Sequence, residues 1–335
     1  MQIKPDEQAR RMEDIARTAL QHWNLDAAAL TLVKYRENAV FKVTERDQRY
    51  ALRVHRPGYH SDAALRSELQ WINALADADI EVPRIVPTRA GELFAISPAA
   101  GAAAPLQVDL FEWIEGHQLG SVEAGLRGDR QTIGDTYRTI GELAGSVHNH
   151  SAGWRPPAGF VRHAWDESGL AGEQPLWGRF WELASLTSQQ RTLLATARDR
   201  VYRDLAALRK APASYSMIHA DFSPENLLVD GEHVRLIDFD DAGFGWHLFE
   251  LVTSLYFIMD EPYFDQAREA LIYGYRSRRP LADEELALLP LFFLARSFTY
   301  VGWVHTRPET ETARQLTPVL VESSCRLAED YLRGR

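Results

Sequence analysis

The stretch H-A-D-F-S-P-E-N at residues 219–226, continued by L-L-V-D-G-E-H-V-R-L-I-D-F-D-D at 227–241, carries the side chains best suited to chemistry. Asn226 follows Asp221 by five residues, Asp238 follows Asn226 by twelve, and short apolar runs lie between them. A turn that puts Asp221 and Asn226 on one side, with Asp238 closing the strand V-R-L-I-D, gathers hard oxygen ligands and one spare carboxylate in a single cleft. Hard oxygens suit Mg²⁺, which usually keeps several waters and is shared with substrate phosphates.

Such a site needs a scaffold. At 335 residues the chain is long for one core, which favours two lobes. Its 45% hydrophobic and 25% charged residues match an ordinary soluble globular protein. A net charge of −10 argues against nucleic acid or an anionic membrane as the main partner. The single cysteine, Cys325, excludes an internal disulfide and fits a reducing cytoplasm. The longest apolar run, Leu286 to Ala295, contains Pro290 and is too short to span a bilayer, and the N-terminus lacks the apolar core of a secretory signal.

Hydrophobic spacing predicts an opening helix over 6–24 with Asp6 as its cap, then strands at T-L-V-K-Y, A-V-F-K-V and Y-A-L-R-V-H in an antiparallel meander. A helix follows over 61–77, with strands at 84–86, 93–96 and 107–113. The low-complexity piece S-P-A-A-G-A-A-A-P reads as a hairpin loop. Beyond Gly120 helices are predicted near 131–150, 178–209, 247–258, 263–276, 282–304 and 309–333, interrupted by the short strands around Asp221. The fold class is therefore α+β, a small antiparallel-sheet lobe followed by a large, mainly helical one.

The spacing also matches the kinase catalytic loop, in which an Asp accepts the proton of the attacking hydroxyl, an Asn binds metal, and the Asp of a later D-F-x binds metal too. With H-A-D-F-S-P-E-N and D-F-D, the chain resembles the aminoglycoside phosphotransferase and choline kinase-like family, whose members share the two-lobed protein kinase fold. The resemblance implies ATP and Mg²⁺ as cofactors, Asp221 as the general base or hydroxyl-orienting residue, and Asn226 and Asp238 as metal ligands. It gives His219 and Glu250 structural roles in holding the catalytic loop. It divides the chain into an N-lobe at 1–111, a hinge at 112–117 and a C-lobe at 118–335.

The sheet lobe extends the resemblance. Where kinases carry A-x-K on the third strand, this chain has Ala51-Leu52-Arg53, with Ala51 and Arg53 on one face. Arg53 would reach the nucleotide phosphates and pair with Glu68, which otherwise leaves a charge on the apolar stripe Leu65, Leu69 and Ile72. The first hairpin, Y-R-E-N-A-V-F-K-V, has no glycine, and the resemblance implies that Asn38 would stand at its tip as a phosphate contact. D-L-F-E-W-I-E-G at 109–116 resembles the kinase hinge, with the Glu112 carbonyl and Ile114 amide on adenine and Phe111 beside the base. G-D-R-Q-T-I-G at 128–134 is not a P-loop, because no Lys-Ser or Lys-Thr follows. His148 and His150 are too poorly spaced for one metal and read as capping or surface residues.

Ser223 and Glu225 stand where eukaryotic protein kinases carry basic residues, and no peptide-binding segment separates D-F-D-D-A-G-F-G from W-H-L-F-E-L. The acceptor is therefore expected to be a small hydroxylated molecule. Asp240 and Asp241 crowd the metal site, Trp246 and Trp303 would cover an ammonium by cation–π contact, and Tyr300 or Trp303 would reach the substrate. Within the family these features point to amine-bearing alcohols, with the homoserine kinase-like branch nearest. Two rivals remain: an atypical Ser/Thr protein kinase of the bacterial stress-response kind, which shares an R-x-x-x-Y-x-x-W run like that at Arg296, Tyr300 and Trp303, and a nucleotide-binding pseudokinase.

Overall fold

In the computed structural model of the chain, residues 5–35, 38–98, 105–121, 125–126 and 130–334 are described. The alanine-rich stretch at 99–104, expected as part of a hairpin loop, and Arg36 and Glu37 lie outside them. The chain forms two compact units, one of Met1–Gly116 with Arg155–Val161, the other of His117–Trp154 with Arg162–Arg335. The segment Arg155–Val161 thus packs with the first unit, although it lies in the stretch read as the helical lobe.

In the first unit, helix α1 (Pro5–Ala19) runs into a 3₁₀ turn, Leu20–Trp23. Met12, Ile15, Ala16, Ala19, Leu20 and Trp23 recur at helical spacing and are all buried. They share a core with Phe41, Val43, Leu52 and Val54 of strands β2 (Ala39–Glu45) and β3 (Gln48–Val54). With β1 (Ala29–Tyr35), β4 (Ala95–Ser97) and β5 (Leu106–Glu112) they form an antiparallel five-stranded sheet in the order β1-β2-β3-β5-β4. Helix α2 (Asp62–Asp77) lies between β3 and β4 in sequence, and the Ser61 hydroxyl caps it by accepting from Ala64 N at 3.2 Å. Residues 84–86 do not form the expected strand. Pro83 and Pro87 flank them and remove two ladder donors, so only a bridge from Ile85 to Phe111 remains.

The second unit is built on helices Arg130–Gly153, Ser188–Ala206, His247–Leu255, Phe264–Arg278, Leu289–Thr306 and Glu311–Arg333. The helix expected over 178–209 is broken. A 3₁₀ turn, Phe180–Glu182, precedes a gap, and Thr187 restarts the chain with a capping box to Gln190. The stretch 282–304 breaks after Leu286, because Pro290 suits the first turn of a helix and not its interior. Helices Arg130–Gly153 and Phe264–Arg278 meet at Gly141 and Gly274, where an added Cβ would strike the Leu271 and Arg138 carbonyls. Among the described residues, no helix is long and apolar enough to cross a membrane.

Candidate active site

The twelve-residue interval between Asn226 and Asp238 is a hairpin. Strand Leu227–Asp230 runs out and His233–Leu236 returns antiparallel, closing through Gly231 at φ 62°. Glycine enters that left-handed region without steric cost. Ile237 N then donates to the Asn226 carbonyl at 2.9 Å, which brings Asp238 to the same end of the hairpin as Asn226. Asn226 Nδ2 reaches back to Asp221, donating to Oδ2 at 2.6 Å and to the backbone carbonyl at 3.1 Å. The amide oxygen is the Asn226 side-chain atom left to ligate a cation.

Asp221 sits on a loop held in an uncommon conformation. Ala220 has φ 65°, a region that costs a residue with a Cβ about 1–2 kcal/mol. Three groups hold it there. The buried Glu250 carboxylate accepts from His219 N at 3.0 Å and from Ala220 N at 2.5 Å, and Arg296 Nη1 donates to the Ala220 carbonyl at 3.1 Å. His219 Nδ1 accepts from Asp221 N at 3.2 Å while Nε2 donates to the Ile237 carbonyl at 3.1 Å, an arrangement that uses the neutral ring. The imidazole lies between the edge-on rings of Phe222 and Phe239. Asp221 Oδ1 accepts from Arg296 Nη2 at 3.0 Å, and the same nitrogen donates to the Tyr300 hydroxyl at 2.8 Å.

Beyond the hairpin, the backbone at 240–242 is pinned by a segment whose role the sequence did not disclose. Arg162 donates to the Asp240 and Ala242 carbonyls, and His163 and Trp165 donate to the Asp241 carbonyl. Asp240 is buried and Asp241 half-buried. Burial first, and then the negative charges of Asp221 and Asp240, push the Asp241 carboxyl up to about 8, with Asp238 adding to the effect. Trp177 Nε1, donating to Asp241 Oδ1 at 3.2 Å, works in the opposite direction. Carboxylates at 221, 238 and 240 all act on Asp241 through their charge, and Asn226 and Asp238, brought to one end of the hairpin, offer hard oxygen donors of the kind that suits a divalent cation. A cation there would relieve their mutual repulsion.

Within the first unit, Arg53 and Glu68 are paired, Nη2 to Oε1 at 2.6 Å, with side-chain exposures of 8% and 0%. A second acid shares the guanidinium. Asp109, opposite Arg53 in the β3–β5 register, accepts from Nε at 3.2 Å and Nη2 at 2.8 Å, and also contacts His55 Nε2 at 2.8 Å. Burial raises the Asp109 carboxyl, but Arg53 and His55 more than offset it and leave it below the usual carboxylate range. Two buried carboxylates explain why an arginine stands here, since a planar fork serves both and an ammonium lacks that geometry. Arg53→Ala is expected to cost about 3–5 kcal/mol of folding stability by leaving two buried acids without their cation. Denaturant unfolding of Arg53→Ala, Glu68→Gln and the double variant checks this, and strictly additive effects would show that the pair contributes nothing.

The remaining expected site residues divide. Tyr300 joins the Arg296 cluster, its ring near those of Tyr256, Phe257 and Trp177. Trp246 is buried. It ends the strand Gly243–Trp246, which carries it about 10 Å past Gly243, and it packs in the core between Tyr215 and Phe292. Trp303 is half-buried, its ring 5.0 Å from the Arg307 guanidinium. Asn38 is buried, and its Oδ1 accepts from Arg56 N at 3.0 Å, so its carbonyl ties the first hairpin to the end of β3. Phe111 lies 5.4 Å beneath the Arg53 guanidinium. Glu112 ends β5, its amide donating to the Arg84 carbonyl at 2.9 Å, and Ile114 follows half-buried.

His148, expected at the surface, is fully buried. It bonds the Tyr275 hydroxyl at 2.9 Å and Glu250 Oε1 at 3.3 Å, and stacks on His247 at 4.1 Å. The close approach at Gly141 and Gly274 brings its helix against that of Tyr275. Burial is also the first cause of the low affinity of these rings for protons: His219 is pushed down to about 4, and His148 and His247 well below 6.5. Each would bind a proton near pH 6.5 in the unfolded chain but not in the fold. The stability they contribute is complete above that pH and is lost as pH falls toward 4. Burial pushes Glu250 up from 4.5 to about 6 and Asp241 from 3.8 to about 8, so each takes a proton in the fold between those values and together they offset about two of the three histidines. Unfolding in urea should therefore have a lower midpoint at pH 5.5 than at pH 7.5, the slope being about 1.4 kcal/mol per pH unit for each net proton. An unchanged or higher midpoint would contradict this.

A model described as the phosphotransferase enzyme family matches residues 31–287. A solved microcompartment-associated aminopropanol kinase superposes with a TM-score of 0.84 at 33% identity, over 96% of this chain and 98% of its own. Homoserine kinase of Pseudomonas aeruginosa is 30% identical over 262 residues, 74% of this chain and 71% of its own. Amicoumacin kinase of Bacillus subtilis is 24% identical over 282 residues, 80% of this chain and 77% of its own. The two-unit architecture, antiparallel sheet and helical part, is the protein-kinase-like fold of these phosphotransferases.

Proposed function

The chain belongs to the phosphotransferase enzyme family, and from that premise we propose that it moves the γ-phosphate of ATP, with Mg²⁺, to a hydroxyl of a small amine-bearing acceptor. The observation that carries this reading is the Asp221 carboxylate, held on one oxygen by Asn226 and on the other by Arg296, beside Asp238, Asp240 and Asp241. Bound Mg²⁺ would neutralise phosphate oxygens and supply electrostatic stabilisation of the transferring group. Asn226 Oδ1 and the Asp238 carboxylate would hold it. Asp221 accepts the hydrogen bond of the acceptor hydroxyl, orients its oxygen, and takes the proton as the O–P bond forms and ADP leaves. Arg53 and Asn38 are assigned to the phosphates, and the Glu112 carbonyl and Ile114 amide to adenine, with Phe111 beside the base.

The amine preference rests on charge. The carboxylates of Asp221, Asp238 and Asp240 outnumber the one buried guanidinium of Arg296, a balance that attracts an ammonium. Relatives named as aminopropanol and homoserine kinases agree with an amino-alcohol acceptor. ADP release with ATP and Mg²⁺ across 1-amino-2-propanol, ethanolamine, choline, homoserine, an aminoglycoside and the amine-free 1,2-propanediol tests it. Turnover is expected with an amino alcohol and not with the diol. Turnover only with added protein would replace this reading with that of a protein kinase, and nucleotide binding without turnover with that of a pseudokinase.

A further inference from the structure

We infer that Arg296 is the positioning residue of the phosphoryl-transfer step, fixing the Asp221 carboxylate and the loop that carries it from inside the fold. It rests on the phosphotransfer reading above. A cation in the middle of the apolar run L-P-L-F-F-L-A-R-S-F-T-Y-V-G-W is expensive, and Arg296 is 0% exposed. Burial works against its charge, and Tyr300 and Asp221 beside it more than offset that cost. Its donors are directed at the loop. Nη1 takes the carbonyl of Ala220, the left-handed residue preceding Asp221, and Nη2 takes Asp221 Oδ1.

The surroundings suit positioning and leave contact with the acceptor to Asp221. The Arg296 guanidinium lies 4.3 Å from the Tyr300 ring centroid, 5.0 Å from Trp177 and 5.4 Å from Phe249, which confine the fork. The Asp221 side chain keeps 22% exposure. One carboxylate oxygen is thus tied by Asn226 at 2.6 Å and the other by Arg296 at 3.0 Å. Two tethers fix the plane of the carboxylate, and displacement of a reacting group by about 1 Å can cost about 10²-fold in rate. The same nitrogen's bond to Tyr300 sets the guanidinium against the helix that carries it.

Arg296→Met keeps the volume and removes the fork and the charge. Its kcat should fall about 10²-fold with the KM for ATP little changed, Arg296→Lys should recover part of the loss, and added guanidinium ion should raise kcat of the truncated Arg296→Ala but not of wild type. In an Asp221→Asn background Arg296→Met should have little further effect, because Arg296 acts through Asp221. An Arg296→Met enzyme with wild-type kcat, equal fold-losses in both backgrounds, or no rescue by either route would overturn the inference. Denaturant unfolding gives a second measurement that needs no activity: Asp221→Asn should destabilise wild type and leave Arg296→Met unaffected. Equal destabilisation in both would overturn the pairing. Wild type without transfer to any amine acceptor counts against the phosphotransfer reading, whereas active wild type with an indifferent Arg296→Met counts against this inference alone.

Discussion

Asp238→Ala should abolish phosphoryl transfer at any ordinary Mg²⁺ concentration. Asp238 stands at φ 66° immediately after Ile237, whose amide is bonded to the Asn226 carbonyl. A cation held there loses its charged protein ligand when the carboxylate is removed, and the phosphates lose their main counter-charge. Asn226→Ala should behave differently. Its ligand is neutral, so a higher Mg²⁺ concentration should restore part of the rate. Restoration should be incomplete, because the same side chain also donates to Asp221 at 2.6 Å and no amount of Mg²⁺ replaces that bond. Mg²⁺ titrations of ADP release separate the variants. Full recovery of Asp238→Ala at high Mg²⁺, or undiminished wild-type activity in excess chelator, would remove the metal from this site.

Asp221→Asn should lower turnover by about 10²–10⁴-fold and leave the affinity for ATP nearly unchanged. The amide has nearly the shape of the carboxylate, so the loop geometry is preserved by Glu250 below it and the Ala220 carbonyl bond to Arg296. What is lost is the acceptor for the hydroxyl proton. A second consequence follows from Arg296, which is left buried beside a neutral partner, and some loss of stability should accompany the loss of rate. Steady-state kinetics against acceptor and ATP, with nucleotide binding measured separately, distinguish a chemical defect from a binding one. Near-normal kcat in this variant would take Asp221 out of the mechanism.

Much of this site was legible because its geometry is local. Asp221, Asn226 and Asp238 lie at the ends of one turn and one hairpin, and a strand of four residues out, a two-residue turn, a strand of four back and Ile237 account for the spacing. Glu68 announced a partner because a carboxylate on the stripe Leu65, Leu69 and Ile72 must find one. The same logic applies to Asp109 between Val108 and Leu110, and to Arg296 between Ala295 and Ser297, and there the partner went unassigned. Each sits in an apolar run whose burial forbids a lone charge, but the partner of Asp109 is set by strand register and that of Arg296 by packing across about 75 residues of chain. Trp177 and the Arg162–Trp165 segment gave no such signal, because their bonds go to a distant carboxylate and to backbone carbonyls. W-H-L-F-E reads as a helix start, whereas the tryptophan belongs to the strand before it. His148 misled because spacing alone does not reveal which face of a helix is buried.

The central claim is tested most directly by following the label of [γ-³²P]ATP into product with Mg²⁺ and an amino alcohol, Asp221→Asn serving as the control. Wild type should place the label in a phosphomonoester on the acceptor hydroxyl, in step with ADP, and the control should do so far more slowly. Label found only in inorganic phosphate or on protein, or no transfer from ATP with any amine-bearing acceptor, would contradict it.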